Sequence, residues 1–457
     1  LYFWKYLGTS DVMLRLPGVI AGSAFCWLFY KWLQDLFGAA VAWAGLILAA
    51  FLPPMIALSA ELRQYSFMLM FCVGAAYLLE RGLRENSVTW MVLSAASLWL
   101  GMLSHYSAFW FASGLGVYAI LRMVVQRPSV PVIACWAGGQ AVGAGLAALL
   151  YETHIAKLGA VYPVADPLRR FGDFYLADWY FHSGRDHLLP FLYRGTFGVF
   201  RFIFGQTAVG QIAAVLFITG VVLLLFKPSS KPPPNSSSGQ RLTGILLLTP
   251  FVVNWIAVVA GLYPYGRTRQ CVYLAVFGIA GVSIALARMV QGSIVYAAAL
   301  AVVMVALCQF FGTLQGRDMM PLAEQRHEHM DQAMTFVRNN VAPDDVIFTD
   351  KATSFQLERY LCGPSPAKVE PLPAGWESSR CDGLRIVVTG PNDGALTAEN
   401  VLARWQSGNA GGVNQVWVVQ AGWASGLGEA LGSRLPEFSG VKVHSFGRYI
   451  EVFRLPR

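Results

Sequence analysis

Three short stretches place side chains able to do chemistry inside an otherwise apolar chain. In LSAELRQYSFMLMF (58–71), Glu61 and Arg63 stand just ahead of Tyr65, between two long apolar runs at 41–58 and 65–79. An ionised group there is costly unless paired or wetted, which makes it a candidate functional group. The alternative is an arginine snorkelling to lipid headgroups with Glu61 as its partner. In YPYGRTRQ (263–270), Arg267 and Arg269 offer two guanidinium forks at the head of an apolar run, a geometry that suits phosphate better than lysine does. The other use of such arginines is interfacial anchoring. Tyr263 and Tyr265 read either as sugar contacts or as members of an aromatic belt. In SHYSAFW (104–110), His105 and Tyr106 separate two further apolar runs. A histidine so placed can be a general base, a metal ligand, a donor to phosphate, or a satisfied structural residue.

Other titratable groups are weaker candidates. His327 and His329 lie two apart in a helical pattern and so point to different faces, which argues against a metal site. His182, Asp186 and His187 could take a divalent cation, but their spacing matches no strong ligand pattern. A divalent cation is therefore left open, and no cofactor is assigned.

The elements that must position these residues follow from composition. Of 457 residues 55% are hydrophobic and only 13% charged, with mean hydropathy +0.49, a balance that excludes an ordinary soluble chain. The net charge of +8 is not gathered into a basic patch interleaved with aromatics, so nucleic acid is excluded as a partner and the lipid bilayer takes its place. Apolar segments near 12–33, 39–58, 65–79, 88–104, 106–124, 130–150, 208–226, 242–262, 269–287 and 292–314 give about ten spans. Lys31, Arg81, Arg84, Arg122, Arg127, Lys227, Lys231, Arg241 and Arg288 fall at every second connection, which orients those connections to the cytoplasm. Glu80 belongs, on this reading, to a solvated cytoplasmic loop.

Glu61 with Arg63, His105 with Tyr106, and Arg267 with Arg269 then emerge together on the opposite, external face. Residues 1–316 form the membrane domain, with an aromatic- and charge-rich external loop at 151–207 that reads as interfacial helices or a lid. The Pro- and Ser-rich segment 227–241 is a flexible linker. Residues 317–457 form an extracytoplasmic α/β domain with a mainly parallel sheet and no Gly-rich phosphate loop. Its two cysteines, Cys362 and Cys381, flank a Pro- and Gly-rich loop outside the cytoplasm, so a disulfide between them is expected.

LYFWKYLGTSDVMLRLPGVIAG at the start, then LPPMIALSAELRQYSFMLMF, SHYSAFW and YPYGRTRQCVYLAVF, resemble in order and sidedness the C-type membrane glycosyltransferases, in particular the protein mannosyltransferase and lipid A aminoarabinose transferase superfamily. The resemblance covers residues 1–314. It implies a bundle of that type and an enzyme that moves a sugar, with inversion, from a polyprenyl-phosphate carrier to a lipid, glycan or protein acceptor at the outer face of the cytoplasmic membrane. SAELRQY looks like the family's Ser-x-Glu-x-Arg-x-Tyr segment, which carries Glu61, Arg63 and Tyr65 into that role. RTRQ resembles the basic segment that meets the donor phosphate. The family's catalytic acid residue is expected in a first external loop upstream of Leu1, so the chain reads as an N-terminally truncated form. Asp11 does not match that position.

Two other functions are compatible with the residues. A secondary transporter also has apolar spans, intramembrane charge and Gly-rich segments such as AGGQAVGAG (137–145), but it concentrates polar groups at mid-span and often repeats its halves. A non-catalytic assembly or sensor protein would use the C-terminal domain to bind a partner.

Overall fold

The computed structural model describes residues 10–155, 176–226, 240–314 and most of 326–455. The chain divides into two compact units, residues 1–323 and 324–457. The candidate segments 1–9, 156–175 and 227–239 lie outside the described residues.

The described residues of the first unit are helices and their connecting turns. In chain order the helices are α1 (Asp11–Phe37), α2 (Ala39–Phe51), α3 (Pro53–Ala60), α4 (Tyr65–Arg84), α5 (Val88–Ser104), α6 (Ser107–Gln126), α7 (Val130–Leu150), α8 (Leu188–Phe204), α9 (Thr207–Phe226), α10 (Gln240–Val259), α11 (Ala275–Met289) and α12 (Ile294–Leu314). A 3-10 turn, Arg269–Leu274, leads into α11. Eight helices among the described residues are long and apolar enough to cross a membrane, and α2 with α3 makes a ninth, bent by 57°. The bend falls where Leu52 is extended and Pro53 and Pro54 occupy the first positions of α3, since proline lacks the N–H that would continue α2. Helix α5, with 17 residues, supplies the remaining apolar segment. The chain is thus a polytopic helical membrane protein, its apolar core shared among the helices and its exposed apolar side chains facing outward as lipid requires.

Glu80 departs from its expected place. It lies inside α4 and is buried, with the Tyr118 hydroxyl donating to Oε1 and Arg122 Nη2 3.4 Å from Oε2. Arg122 likewise sits within α6 and not in a loop. An apolar run read by average hydropathy hides a carboxylate whenever its partner comes from a different helix.

The second unit holds α13 (Arg326–Asn340), α14 (Lys351–Leu361) and a seven-stranded sheet: β1 (Val346–Thr349), β2 (Lys368–Leu372), β3 (Trp376–Cys381), β4 (Leu384–Val388), β5 (Val416–Ala421), β6 (Lys442–Ser445) and β7 (Ile450–Leu455). The order is β2-β3-β4-β1-β5-β7-β6. Among the described residues only β1 pairs in parallel, with β4 and β5; the other four pairings are antiparallel. The sheet is therefore mixed and not mainly parallel. Strands β2 and β3 arise from the segment read as a Pro- and Gly-rich loop, where KVEPL and WESSRC lack a continuous apolar run. Cys362, just after α14, and Cys381, ending β3, form the expected disulfide.

Candidate functional site

Glu61 closes α3, and its backbone N–H bonds to Ala57 O. The turn that follows is fixed by Ser66 Oγ, which donates to Leu58 O at 3.0 Å and so ties the start of α4 to the end of α3. Helix α1 comes close enough to support this turn because its contact positions are glycines. A Cβ on Gly18 would stand 2.9 Å from Ser59 O, and one on Gly22 would overlap the Ser59 side chain.

The partner of Glu61 comes from 208 residues away. Arg269 Nη1 lies 3.0 Å from Oε2 and Nη2 2.9 Å from Oε1, a two-pronged pair. Arg63, which the sequence places beside Glu61, is 3.8 Å away through Nε and half exposed. The carboxylate is therefore committed to Arg269 first, which sequence proximity could not reveal. The 3-10 turn carrying Arg269 packs against α4, α6, α8 and α11.

The loop 263–269 is anchored through its aromatic residues. Tyr265 is fully buried; its hydroxyl shares a 2.7 Å hydrogen bond with Thr196 Oγ1, and its N–H donates to Trp179 O. It has no surface left for a sugar, so the structure makes it an anchor and not a contact. Gly266, at φ +147, lies against the Trp179 ring, where a Cβ would stand 2.0 Å from the indole. Only glycine combines that backbone with that approach. Gly195 and Gly198 on α8 leave room for Tyr265 and for the backbone at Arg267. Tyr263 donates to Gln270 O at 3.1 Å and stacks at a tilt on Trp110, and burial raises its hydroxyl pKa well above the ordinary value. Beneath the loop, Cys271 Sγ receives Asn254 Nδ2 and Thr268 Oγ1 and is itself directed at Pro264 O. Arg267 is exposed beside this anchored segment.

His105 ends α5 and precedes α6. Its ring lies 4.8 Å from that of Tyr65, four residues beyond Glu61, and 6.4 Å from that of Tyr106. Nδ1 meets Ser107 Oγ in a short contact and accepts the Ser107 N–H at 3.1 Å. Burial pushes the imidazole pKa down to about 4. The fold thus brings Glu61, Arg63 and Arg269 into one cluster and Tyr65, His105 and Tyr106 into another, joined through the first turn of α4. Thr196, Trp179 and Ser107 were not singled out from sequence; the first two are far away along the chain, whereas the serine two residues after His105 was a readable signal.

Among the described residues no group of three His, Cys, Asp or Glu side chains could hold a metal ion. Asp186, one of the residues considered for a cation, accepts the His182 N–H at 3.0 Å and lies 3.4 Å from Arg185 Nε.

The model of the family described as dolichyl-phosphate-mannose-protein mannosyltransferase matches residues 2–151. No curated protein sequence matches the chain. Among solved structures, apo ArnT from Cupriavidus metallidurans aligns over 96% of this chain and 83% of its own, at 12% identity and a TM-score of 0.39. The sequence resemblance to the protein mannosyltransferase superfamily is supported by the family match over residues 2–151, which takes in Glu61, Arg63, Tyr65, His105 and Tyr106.

Proposed function

We propose that the chain is a membrane glycosyltransferase that takes a sugar from a polyprenyl-phosphate carrier and passes it to an acceptor hydroxyl at the external face of the cytoplasmic membrane. The observation that carries this reading is the partly exposed Glu61–Arg269 pair, with Arg63 3.8 Å from the carboxylate and Arg267 two residues before Arg269, in a chain with few charges. In the transfer, the acceptor oxygen attacks the anomeric carbon while the bond to the phosphate oxygen breaks, and the lipid phosphate leaves with the electron pair. The developing negative charge needs fixed donors. Arg269 has five N–H bonds, of which Glu61 engages two, so the guanidinium is oriented and still has donors to offer. Arg267 adds a second fork beside it, and Arg63 a third cation.

Tyr106, only half-buried, offers a surface to the sugar, while Tyr65 is buried against His105 and supports it from behind. Tyr263 and Tyr265 hold the arginine-bearing loop. The proton of the acceptor hydroxyl goes to a base other than Glu61, since both of that carboxylate's oxygens are engaged by the Arg269 guanidinium. In this reading the C-terminal unit lies outside the cytoplasm, which its disulfide supports, since such bonds persist in an oxidising compartment.

The test is sugar transfer by Arg269→Ala in membranes, at matched amounts of folded protein. Loss of one donor to developing charge is expected to lower the rate by about 10²–10³. Transfer at the wild-type rate would refute the assignment.

A further inference from the structure

We infer that His105 is a hydrogen-bond donor through Nε2, held in that single tautomer by the first turn of α6, and that it donates to an oxygen of the sugar phosphate bound beside Arg269. The inference deepens the proposed function and rests on it for the ligand, although the tautomer does not.

The first N–H groups of a helix have no partner within it. His105 satisfies two of those at the start of α6: its carbonyl accepts the Ala108 N–H at 3.0 Å, and Nδ1 accepts the Ser107 N–H at 3.1 Å. A main-chain N–H can only donate, so Nδ1 must present its lone pair. The Ser107 hydroxyl lies against the same nitrogen and is shared with the Tyr263 hydroxyl, so Tyr263 also reaches the ring's surroundings through it. The positive end of the α6 dipole opposes a proton at this nitrogen. Burial acts in the same direction by disfavouring the imidazolium. The groups facing the ring are Tyr65 from α4 and the neighbouring Tyr106, and among the described residues no carboxylate pairs with it.

A neutral imidazole with Nδ1 engaged as acceptor carries its hydrogen on Nε2. Nε2 has no partner among the described residues, and it is not a sealed, unpaired atom either. Of the roles open to His105, general base and Nδ1 metal ligand are thereby removed. Donation from Nε2 remains, close to the turn that carries Glu61.

The experiment uses the full chain, labelled with ¹⁵N-histidine and embedded in lipid bilayers, with the His105 signals identified by their loss in His105→Asn. An unprotonated Nδ1 and a protonated Nε2, both at pH 8 and at pH 5, are expected. A proton on Nδ1 at either pH overturns the inference. Polyprenyl phosphate is then added, with the ³¹P signal of that lipid read alongside. A shift of both ³¹P and Nε2 supports donation. A ³¹P shift with Nε2 unmoved overturns the donor role alone, and no shift in either overturns the phosphate site and the donor role with it. In transfer assays His105→Gln, which keeps an N–H donor near Nε2, should retain most of kcat, while His105→Asn, which keeps only the helix-capping acceptor, should lose about a hundredfold. The reverse order would overturn the assignment.

Discussion

Two carboxylate–guanidinium pairs bracket the same two helices and differ in one respect. Helices α4 and α6 start side by side, where Tyr65 meets His105, and near their far ends Glu80 meets Arg122. Fifteen residues of α4 separate Tyr65 from Glu80, about 22 Å along the helix. At one end the Glu61 and Arg269 side chains are 27% and 21% exposed. At the other the Glu80 and Arg122 side chains are 7% and 1% exposed, and the Tyr118 hydroxyl completes the carboxylate's shell. A sealed pair cannot change partners without leaving a buried charge alone, whereas an open pair can add or exchange an anionic ligand while water compensates the rest. The same chemistry is thus a sealed clasp in one place and, in the function proposed above, a binding site in the other, with exposure as the difference between them.

Breaking the clasp should have the largest effect on stability. Arg122→Ala leaves Glu80 buried without its cation and should cost about 3–5 kcal/mol, read as lowered thermal stability of the protein in bilayers or detergent. A melting profile like that of the wild type would remove the distinction between the pairs. Opening the disulfide by changing Cys362 and Cys381 to serine should cost the C-terminal unit about 3 kcal/mol in the loop-entropy model, for a sequence separation of 19. Proteolysis of that unit in intact protein is the readout, and unchanged protection would contradict it. The smallest effect belongs to Arg63→Ala. At 3.8 Å from Glu61 and half exposed, this arginine should contribute at most about 1 kcal/mol to stability.

These regions also show what a sequence can disclose. The helices were legible because apolar runs of bilayer length have one stable solution, and the break at Pro53 and Pro54 was visible as two prolines. The site was legible in its members and not in its pairing. Glu61 is followed two residues later by Arg63, yet its two-pronged partner is Arg269, because the loop at 263–269 is steered by Trp179, Thr196 and two glycines of α8 that no local pattern connects to it. Glu80 was misplaced for the opposite reason: its partners Tyr118 and Arg122 lie one helix away, and average hydropathy treats a clasped carboxylate as a solvated one. In the second unit β2 and β3 were missed because a strand held by antiparallel neighbours needs little apolar content of its own, as KVEPL on the sheet edge shows.

The central claim is that the open pair is a lipid-phosphate site. Its most direct test is the affinity of the full chain in bilayer nanodiscs for polyprenyl phosphate, compared among wild type, Arg269→Gln and Arg81→Gln. Arg81 is an equally real cation, paired with Glu85 on α4 away from the site. Loss of a charged donor from the site should weaken binding about tenfold to a hundredfold for Arg269→Gln, since hydrogen bonds to charged groups contribute about 1.5–3 kcal/mol, and Arg81→Gln should bind as the wild type does. Equal affinity in all three, or equal weakening in both variants, would contradict the account.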